Sequence, residues 1–289
     1  MHESSIGWRC RLIAPHCPKG IGNGSGGKVS FSLVKELMAK VSQITRFPAK
    51  GLSGEELQET PVWEGVGIPG DRALAFRFAD APQEAVDKRH FLQWANTPAS
   101  ARLRCRFDRA TDHLVILDGE SLIVEGMGPG DAARVSAAMS AWYRTTTGQS
   151  RDLILCRARY PDVPDCDLSI LHLASLRDVE SRLGRPIEPH RLRMNLHLEG
   201  DDPPWIERSW VGRRLRLGSA LIEVMGMLPR CPAPDADPET GVRTGHLVRD
   251  LMAHYGHSYV GILARVRSRG HISLGDALTA VEDESGLPS

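Results

Sequence analysis

A stiff, proline-rich loop with one cysteine is the part of this sequence best suited to chemistry. Cys231 stands in Leu228-Pro-Arg-Cys-Pro-Ala-Pro-Asp-Ala-Asp-Pro-Glu-Thr-Gly241. Pro229, Pro232, Pro234 and Pro238 lock φ and remove backbone donors, so the loop is expected to hold its side chains in fixed places. Arg230 precedes the cysteine, and a guanidinium beside a thiol favours the thiolate, the soft ligand that a thiophilic metal takes. Asp235 and Asp237 add acceptors nearby. The same residues also fit a surface loop with a buried, inert cysteine.

Two further groups could bind anions. If Arg191 to Asn195 is a strand, then Arg191, Arg193 and Asn195 share one face, where two guanidiniums and an amide could grip a phosphate and the edge of a heterocycle. A solvated strand face with paired charges reads the same way. Lys50-Gly-Leu-Ser-Gly54 and Gly70-Asp-Arg72 are glycine-bearing turns with one cation each, able to present it to a phosphate or to serve as ordinary turns.

Other chemistries find little support. His254 and His257 lie three apart, and His190, His197, His246 and His271 are scattered, without an H-E-x-x-H pattern for zinc. There is no G-x-S-x-G elbow for a serine hydrolase. Gly22 to Lys28 mimics a P-loop, but Val29 replaces the metal-binding hydroxyl and no apolar strand leads in.

The elements that must position these groups are mostly short strands. Leu74, Phe76 and Phe78 alternate with Ala75, Arg77 and Ala79, the pattern of a half-buried strand. Asp118-Gly119 predicts a hairpin between Leu114–Leu117 and Leu122–Glu125. Arg213 to Leu217 turns at Gly218-Ser219 into Leu221 to Met225, and Val260 to Val266 alternates again. Three helices are expected: one capped by Asp131 and ending near Gly148, one opened by a capping box of Ser175 and Asp178 and stopped at Gly184, and one carrying Leu247, Val248, Leu251 and Tyr255, closed by Gly256. The mixture predicts an α+β, strand-rich fold on barrel-like antiparallel sheets.

The chain has 289 residues, enough for one large domain or two modest ones. Its formal net charge is zero, so neither nucleic acid nor an acidic membrane is called for as the main partner. No apolar run reaches bilayer length, and Met1 to Lys19 lacks a secretory apolar stretch. None of the six cysteines forms a C-x-x-C pair, which predicts reduced thiols and a cytosolic setting. Residues 1–37, with the run Gly22-Asn23-Gly24-Ser25-Gly26-Gly27, read as a flexible extension upstream of a natural start at Met38.

Taken in order, several segments resemble the MOSC family of molybdenum-dependent proteins. VSQITRFPAKGLSG, from Val41 to Gly54, looks like the opening of the MOSC N-terminal β-barrel domain. It is followed by Gly70-Asp71-Arg72, by the helix start Ala174-Ser175-Leu176, and by Arg191-Leu-Arg193-Met-Asn195 for Arg-x-Arg-Pro-Asn. Arg230-Cys231 with Asp237-Pro-Glu-Thr-Gly241 and then Gly270-His-Ile-Ser-Leu-Gly275-Asp276 complete the series. The departures are Met194 for proline, Gly51 for serine, and Gln93-Trp-Ala-Asn-Thr97 where relatives show Thr-x-Arg, which leaves one cationic contact unassigned.

The resemblance implies a smaller N-terminal β domain over residues 38–130, an antiparallel barrel-like MOSC domain over 131–280 and a tail at 281–289. It implies a molybdenum cofactor, molybdopterin, whose dithiolene supplies two sulfurs and whose metal takes a third from Cys231. Lys50, Arg72, Ser175, Arg191, Arg193, Asn195 and Arg230 become the expected grips on pterin and phosphate, and Asp237 a residue shaping the substrate side. Some relatives, among them the mitochondrial amidoxime-reducing component and bacterial hydroxylaminopurine-detoxifying proteins, reduce N-hydroxylated compounds. Without a cysteine run for a fused 2Fe–2S domain, electrons would come from a separate ferredoxin, flavodoxin or cytochrome b5-like protein with its reductase. At family level the resemblance also brings in pyridoxal phosphate binding. A persulfide carrier at Cys231, or a cofactor-binding protein without turnover, are the alternatives.

Overall fold

The structure, a computed structural model, describes residues 37–84 and 87–281. The P-loop-like segment from Gly22 to Lys28 and nearly all of the expected extension and tail lie outside the described residues. The first half contains β1 (Leu37–Arg46), β2 (Glu55–Leu57), β3 (Glu59–Val62), β4 (Leu74–Phe78), β5 (Leu103–Asp108), β6 (His113–Asp118) and β7 (Ser121–Met127). The middle holds α1 (Ala132–Thr147), β8 (Leu153–Arg157), β9 (Leu168–His172), α2 (Leu173–Leu183) and β10 (Leu196–Glu199). The last part holds β11 (Arg214–Leu217), β12 (Ala220–Pro229), α3 (Leu247–Tyr255), β13 (Tyr259–Ser268), β14 (Gly270–Ser273) and β15 (Ala277–Ala280). Among the described residues, no helix is long and apolar enough to cross a membrane.

Strands β10, β9, β13, β12, β11, β15 and β1 pair in that order, and β1 pairs back onto β10, which closes a seven-stranded barrel. Closure leaves the barrel strands without a free edge. β1 pairs with β10 along one edge and with β15 and then β2 along the other, and its register shifts between Val41 and Gln43 and between Leu37 and Ala39. The interior is aliphatic: Val41, Ile44, Ile170, Leu196, Leu215, Ile222, Ile262 and Leu278 are all almost wholly buried. The antiparallel expectation fails at one seam. β9 and β10 run parallel, Ile170 opposite Leu196, and α2 makes the crossover that a parallel pair requires.

A second core is formed by the β4–β8 pair, the β5-β6-β7 meander and α1, with Phe76, Leu103, Ile116, Met139 and Leu153 at its centre. Packing groups α1 and β8 with residues 49–124, and β1 with the later strands. One expectation is corrected. β4 is buried at every position and not on one face only, because Ala75 is sealed in and Arg77 donates to the carbonyls of Ala81 and Phe78.

The predicted hairpin forms, with Asp118 opposite Ser121 and Gly119 at φ +60°. The predicted turn between β11 and β12 also forms. α1, α2 and α3 end on Gly148, Gly184 and Gly256 in the left-handed region. The starts differ from expectation. Asp131 precedes α1, but its carboxylate accepts from Met127 N and Arg134 Nε and caps nothing. α2 begins at Leu173, so Ser175 lies inside it and makes no capping box.

Gly51, beside Lys50, passes close to the backbone of Leu92 and Gln93. Its φ is +76°, and an added Cβ would fall 2.1 Å from Leu92 O, a backbone atom that cannot turn aside. Gly51→Ala is therefore expected to cost about 2 kcal/mol or more and lower the unfolding midpoint by roughly 5 °C. A thermal melt matching the parent's would contradict this geometry.

Candidate functional site

One cleft, with a volume of about 200 Å³, collects residues from both layers. The β1–β2 connection contributes Lys50 and Gly51, the following turn Asp71 and Arg72, and the segment before β5 Lys88, Gln93 and Trp94. The loop between β8 and β9 brings Arg159, Asp162, Cys166 and Asp167, the approach to β10 brings Arg193 and Asn195, and the end of β12 brings Arg230 and Cys231. Six cations thus face three carboxylates around the cleft. Such a lining favours an anionic ligand.

The cations are held by close packing. Lys50 is 4% exposed; its Nζ donates to Asp162 Oδ1 at 2.6 Å and to the carbonyls of Tyr160 and Pro161 at 3.4 Å. Arg72 donates from Nε to Asp162 Oδ2 at 2.9 Å and from Nη1 to Asp71 Oδ2 at 2.5 Å, while Phe47 N holds the other Asp71 oxygen at 2.8 Å. Arg193 lies between two rings, 4.5 Å from the Phe47 centroid and 4.8 Å from that of Trp94. Both Arg72 (φ +48°) and Arg193 (φ +54°) occupy the left-handed region, which is uncommon for such residues and concentrated at functional sites.

These charges tune one another. Burial, then the neighbouring Arg72, lowers Arg193 to about 10, so it stays charged near neutrality. Burial also lowers Arg230. Burial pushes the Asp162 carboxyl up, but Arg72, Lys50 and Arg193 together outweigh it and hold the group far below the usual carboxylate range. Two buried donors on the walls have no partner, Trp94 Nε1 and Arg230 Nε. Buried donors are normally satisfied, so these two mark unsatisfied polar groups beside the cleft.

Cys231 is half-buried and free. Its loop is braced by more than prolines. Arg230 N donates to Ser258 O at 2.8 Å, continuing the β12–β13 ladder, and Arg230 Nη2 reaches Leu192 O at 2.7 Å. Arg243 clamps Pro232 O and Ala95 O, and Asp235 Oδ1 accepts from Leu247 N at the start of α3. Among the described residues, no three His, Cys, Asp or Glu side chains gather as a metal site, the scattered histidines included. A metal at Cys231 must therefore bring its other ligands with it.

The structure brings Cys231, Lys50, Arg72, Arg193, Asn195 and Arg230 together and leaves three expected residues elsewhere. Residues 189–192 form a 3-10 turn and not a strand, so Arg191 and Arg193 do not share a face. Arg191 instead binds Asp237 Oδ2 at 2.5 Å and Thr244 Oγ1 at 2.7 Å, and this pair secures the loop after Cys231; neither Arg191 nor Asp237 lines the cleft. Asn195 is on the wall, but its Oδ1 accepts from Ser169 N and Oγ and its Nδ2 donates to Thr45 O, so it staples β1, β9 and β10. Asp162, Arg159, Trp94 and Cys166 are wall residues that sequence patterns did not single out. Trp94 had one signal, the departure at Gln93–Thr97.

Ser175 is also away from the cleft. It is wholly buried, donates to Glu207 Oε2 at 2.8 Å and accepts from Trp205 N at 2.7 Å. Burial, which outweighs the Ser175 hydrogen bond, holds the Glu207 carboxyl above its ordinary value of 4.5. A raised acid stabilises the fold below its unfolded pKa, and that contribution is lost as the pH climbs from there through the folded value. Glu207→Gln cannot ionise, so it should melt above the parent at about pH 7, with the gap closing as the pH falls toward 4.5. A gap that widens on acidification would show that Glu207 is stabilising as an anion.

Comparison with known proteins adds a family. The chain is similar in structure to the YUAD protein of Bacillus subtilis, with 15% identity, 84% of this chain and 97% of that one covered, and a TM-score of 0.42. It is similar to YiiM of Geobacillus stearothermophilus at 21% identity and a TM-score of 0.32, covering 42% of this chain and 57% of that one. For YiiM of Escherichia coli the identity is 24% and the TM-score 0.29, with the same coverage of 42% and 57%. No curated protein sequence matches the chain. The family model of the MOSC domain matches residues 158–279, which carry β9 to β14, the loop with Asp162 and the loop with Cys231. Residues 158–279 therefore match a MOSC domain.

Proposed function

We propose that the cleft binds a molybdenum cofactor, with the Cys231 thiolate on the metal, and that the protein reduces N-hydroxylated compounds with electrons from a separate donor. The observation that carries this reading is the meeting of the free Cys231 thiol with Lys50, Arg72, Arg193 and Arg230 in one cationic cleft. MOSC domains as a family bind this cofactor. The residues suit it. The thiol is one soft ligand where a dithiolene brings two more, and the cations match a phosphate.

When bound, the molybdenum centre supplies the two-electron cleavage of an N–OH bond, which takes up two protons and releases amine and water. The protein's own tasks are to hold and to exclude. Lys50 and Arg72 would take the phosphate, Arg193 would keep its charge between Phe47 and Trp94, and the braced loop would keep the Cys231 sulfur in place. The proposal places the protein in a reducing, cytosolic setting, with a ferredoxin, flavodoxin or cytochrome b5-like protein as donor.

The test is turnover by protein fully loaded with cofactor and given a chemical reductant. Hydroxylaminopurine and an amidoxime should yield amine products; a loaded protein that leaves both untouched would reject the reductase reading. The second thiol on the cleft wall, Cys166, favours one other reading, sulfur transfer through a persulfide on Cys231. Purified protein with one extra sulfur on Cys231 and no molybdenum would favour it.

A further inference from the structure

The loop of residues 158–167, between β8 and β9, meets the cation cluster through one carboxylate. Asp162 places Oδ1 2.6 Å from Lys50 Nζ and Oδ2 2.9 Å from Arg72 Nε. The partners are sealed in, with side chains 6% and 8% exposed, whereas the Asp162 side chain is 49% exposed. The other two carboxylates of the cleft are anchored to backbone donors, Asp71 by Phe47 N and Asp167 by Val266 N. Asp162 accepts only from the two cations. Its loop is tied down at its ends, by Ala158 N to Ala73 O, Tyr160 N to Arg72 O and Asp167 N to Ala264 O. Between them, among the described residues, no backbone N–H from 161 to 166 donates to a backbone carbonyl.

Side chains hold three carbonyls of that stretch, Pro161 O by Lys50 Nζ, Asp165 O by Arg265 Nε at 2.9 Å and Cys166 O by Arg159 Nη2 at 3.0 Å, and the half-solvated Asp162 carboxylate occupies both buried cations. We propose that Asp162 is a resident stand-in for the ligand's phosphate, which a dianion displaces and a monoanion does not. The inference rests on the reading of the cleft as a phosphate-bearing cofactor's site and names the residue that selects ligands there. A tethered carboxylate acts at an effective concentration of about millimolar or more. An incoming carboxylate offers the cations nothing more than Asp162 already does. A phosphate dianion brings a second charge and a third oxygen, so it can prevail. Once Asp162 is released, the loop loses its carboxylate attachment to Lys50 and Arg72, which loosens the segment before Cys166 and makes that thiol more accessible.

The experiment uses the full chain purified without cofactor, with inorganic phosphate and acetate as probes in titration calorimetry. Asp162→Asn is expected to bind phosphate at least tenfold tighter than the parent and to bind acetate, which the parent does not. A parent that binds neither probe overturns displacement by a dianion, even if the variant binds phosphate. Phosphate binding that weakens or is unchanged in the variant, or is absent from both proteins, overturns the proposal. A second readout needs no variant: phosphate should raise the rate of Cys166 alkylation by iodoacetamide severalfold, scored by peptide mass, and a slower or unchanged rate overturns the proposal even if Asp162→Asn fails to fold. The cofactor reading fails separately, if protein from a cofactor-competent host carries neither molybdenum nor pterin.

Discussion

Replacing Cys231 by serine should reduce bound molybdenum at least tenfold in protein from a cofactor-competent host and leave the fold intact. The two effects separate for physical reasons. Cys231 is half-buried on a loop, outside the hydrophobic cores, so exchanging sulfur for oxygen opens no apolar cavity. A serine hydroxyl is a hard, weakly acidic ligand and does not replace a thiolate on a thiophilic metal. Because the cationic wall remains, residual pterin should persist beyond residual metal. The loop itself should not move, since it is fixed by Arg230 N on Ser258 O, Arg243 on Pro232 O and Asp235 on Leu247 N. Metal analysis with a thermal melt checks both halves. Unchanged molybdenum would remove Cys231 from the metal, and a large loss of stability would show that the thiol is part of the packing.

Arg72→Ala should have the largest effect on the protein as a whole. The guanidinium binds Asp71 and Asp162, reaches Arg193 O at 3.4 Å and sits 4.9 Å from the Phe47 ring. Its removal leaves the Asp71 carboxylate, whose side chain is 9% exposed, with one backbone donor. Stranding one partner of a buried pair costs about 3–5 kcal/mol, which in a chain of this size lowers the melting midpoint by roughly 10 °C. Cofactor content should fall with it. Arg72→Lys restores the charge but not the fork, so it should recover stability only in part. An alanine variant within about 1 kcal/mol of the parent would mean that the pair is solvated and the cleft less enclosed than described.

What could be read in the sequence was local. Asp118-Gly119 announces its hairpin because a two-residue turn needs those backbone angles, and Gly148, Gly184 and Gly256 end helices for the same reason. The stiffness around Cys231 was visible because proline acts on its own residue. The pairing of distant side chains was not visible. Asp162 meets Lys50 across 112 positions and Arg72 across 90, and nothing in its own neighbourhood marks it. Local patterns also misled. Ser175 and Asp178 have capping-box spacing, yet Ser175 serves Glu207 inside α2 and Asp178 accepts from Trp205 Nε1 and Tyr255 OH. Arg191 and Arg193 alternate as in a strand, but the 3-10 turn sends one to Asp237 and the other to the cleft. The β4 alternation missed that both faces are covered, since a small Ala75 and an Arg77 satisfied by carbonyls can be buried as readily as phenylalanine.

The most direct measurement is molybdenum X-ray absorption on protein from a cofactor-competent host, compared with Cys231→Ser. The account predicts a metal surrounded by the two dithiolene sulfurs and one more, with that third sulfur missing from whatever metal the serine variant retains. The same sulfur count in both proteins, or a parent that holds no molybdenum, would contradict it.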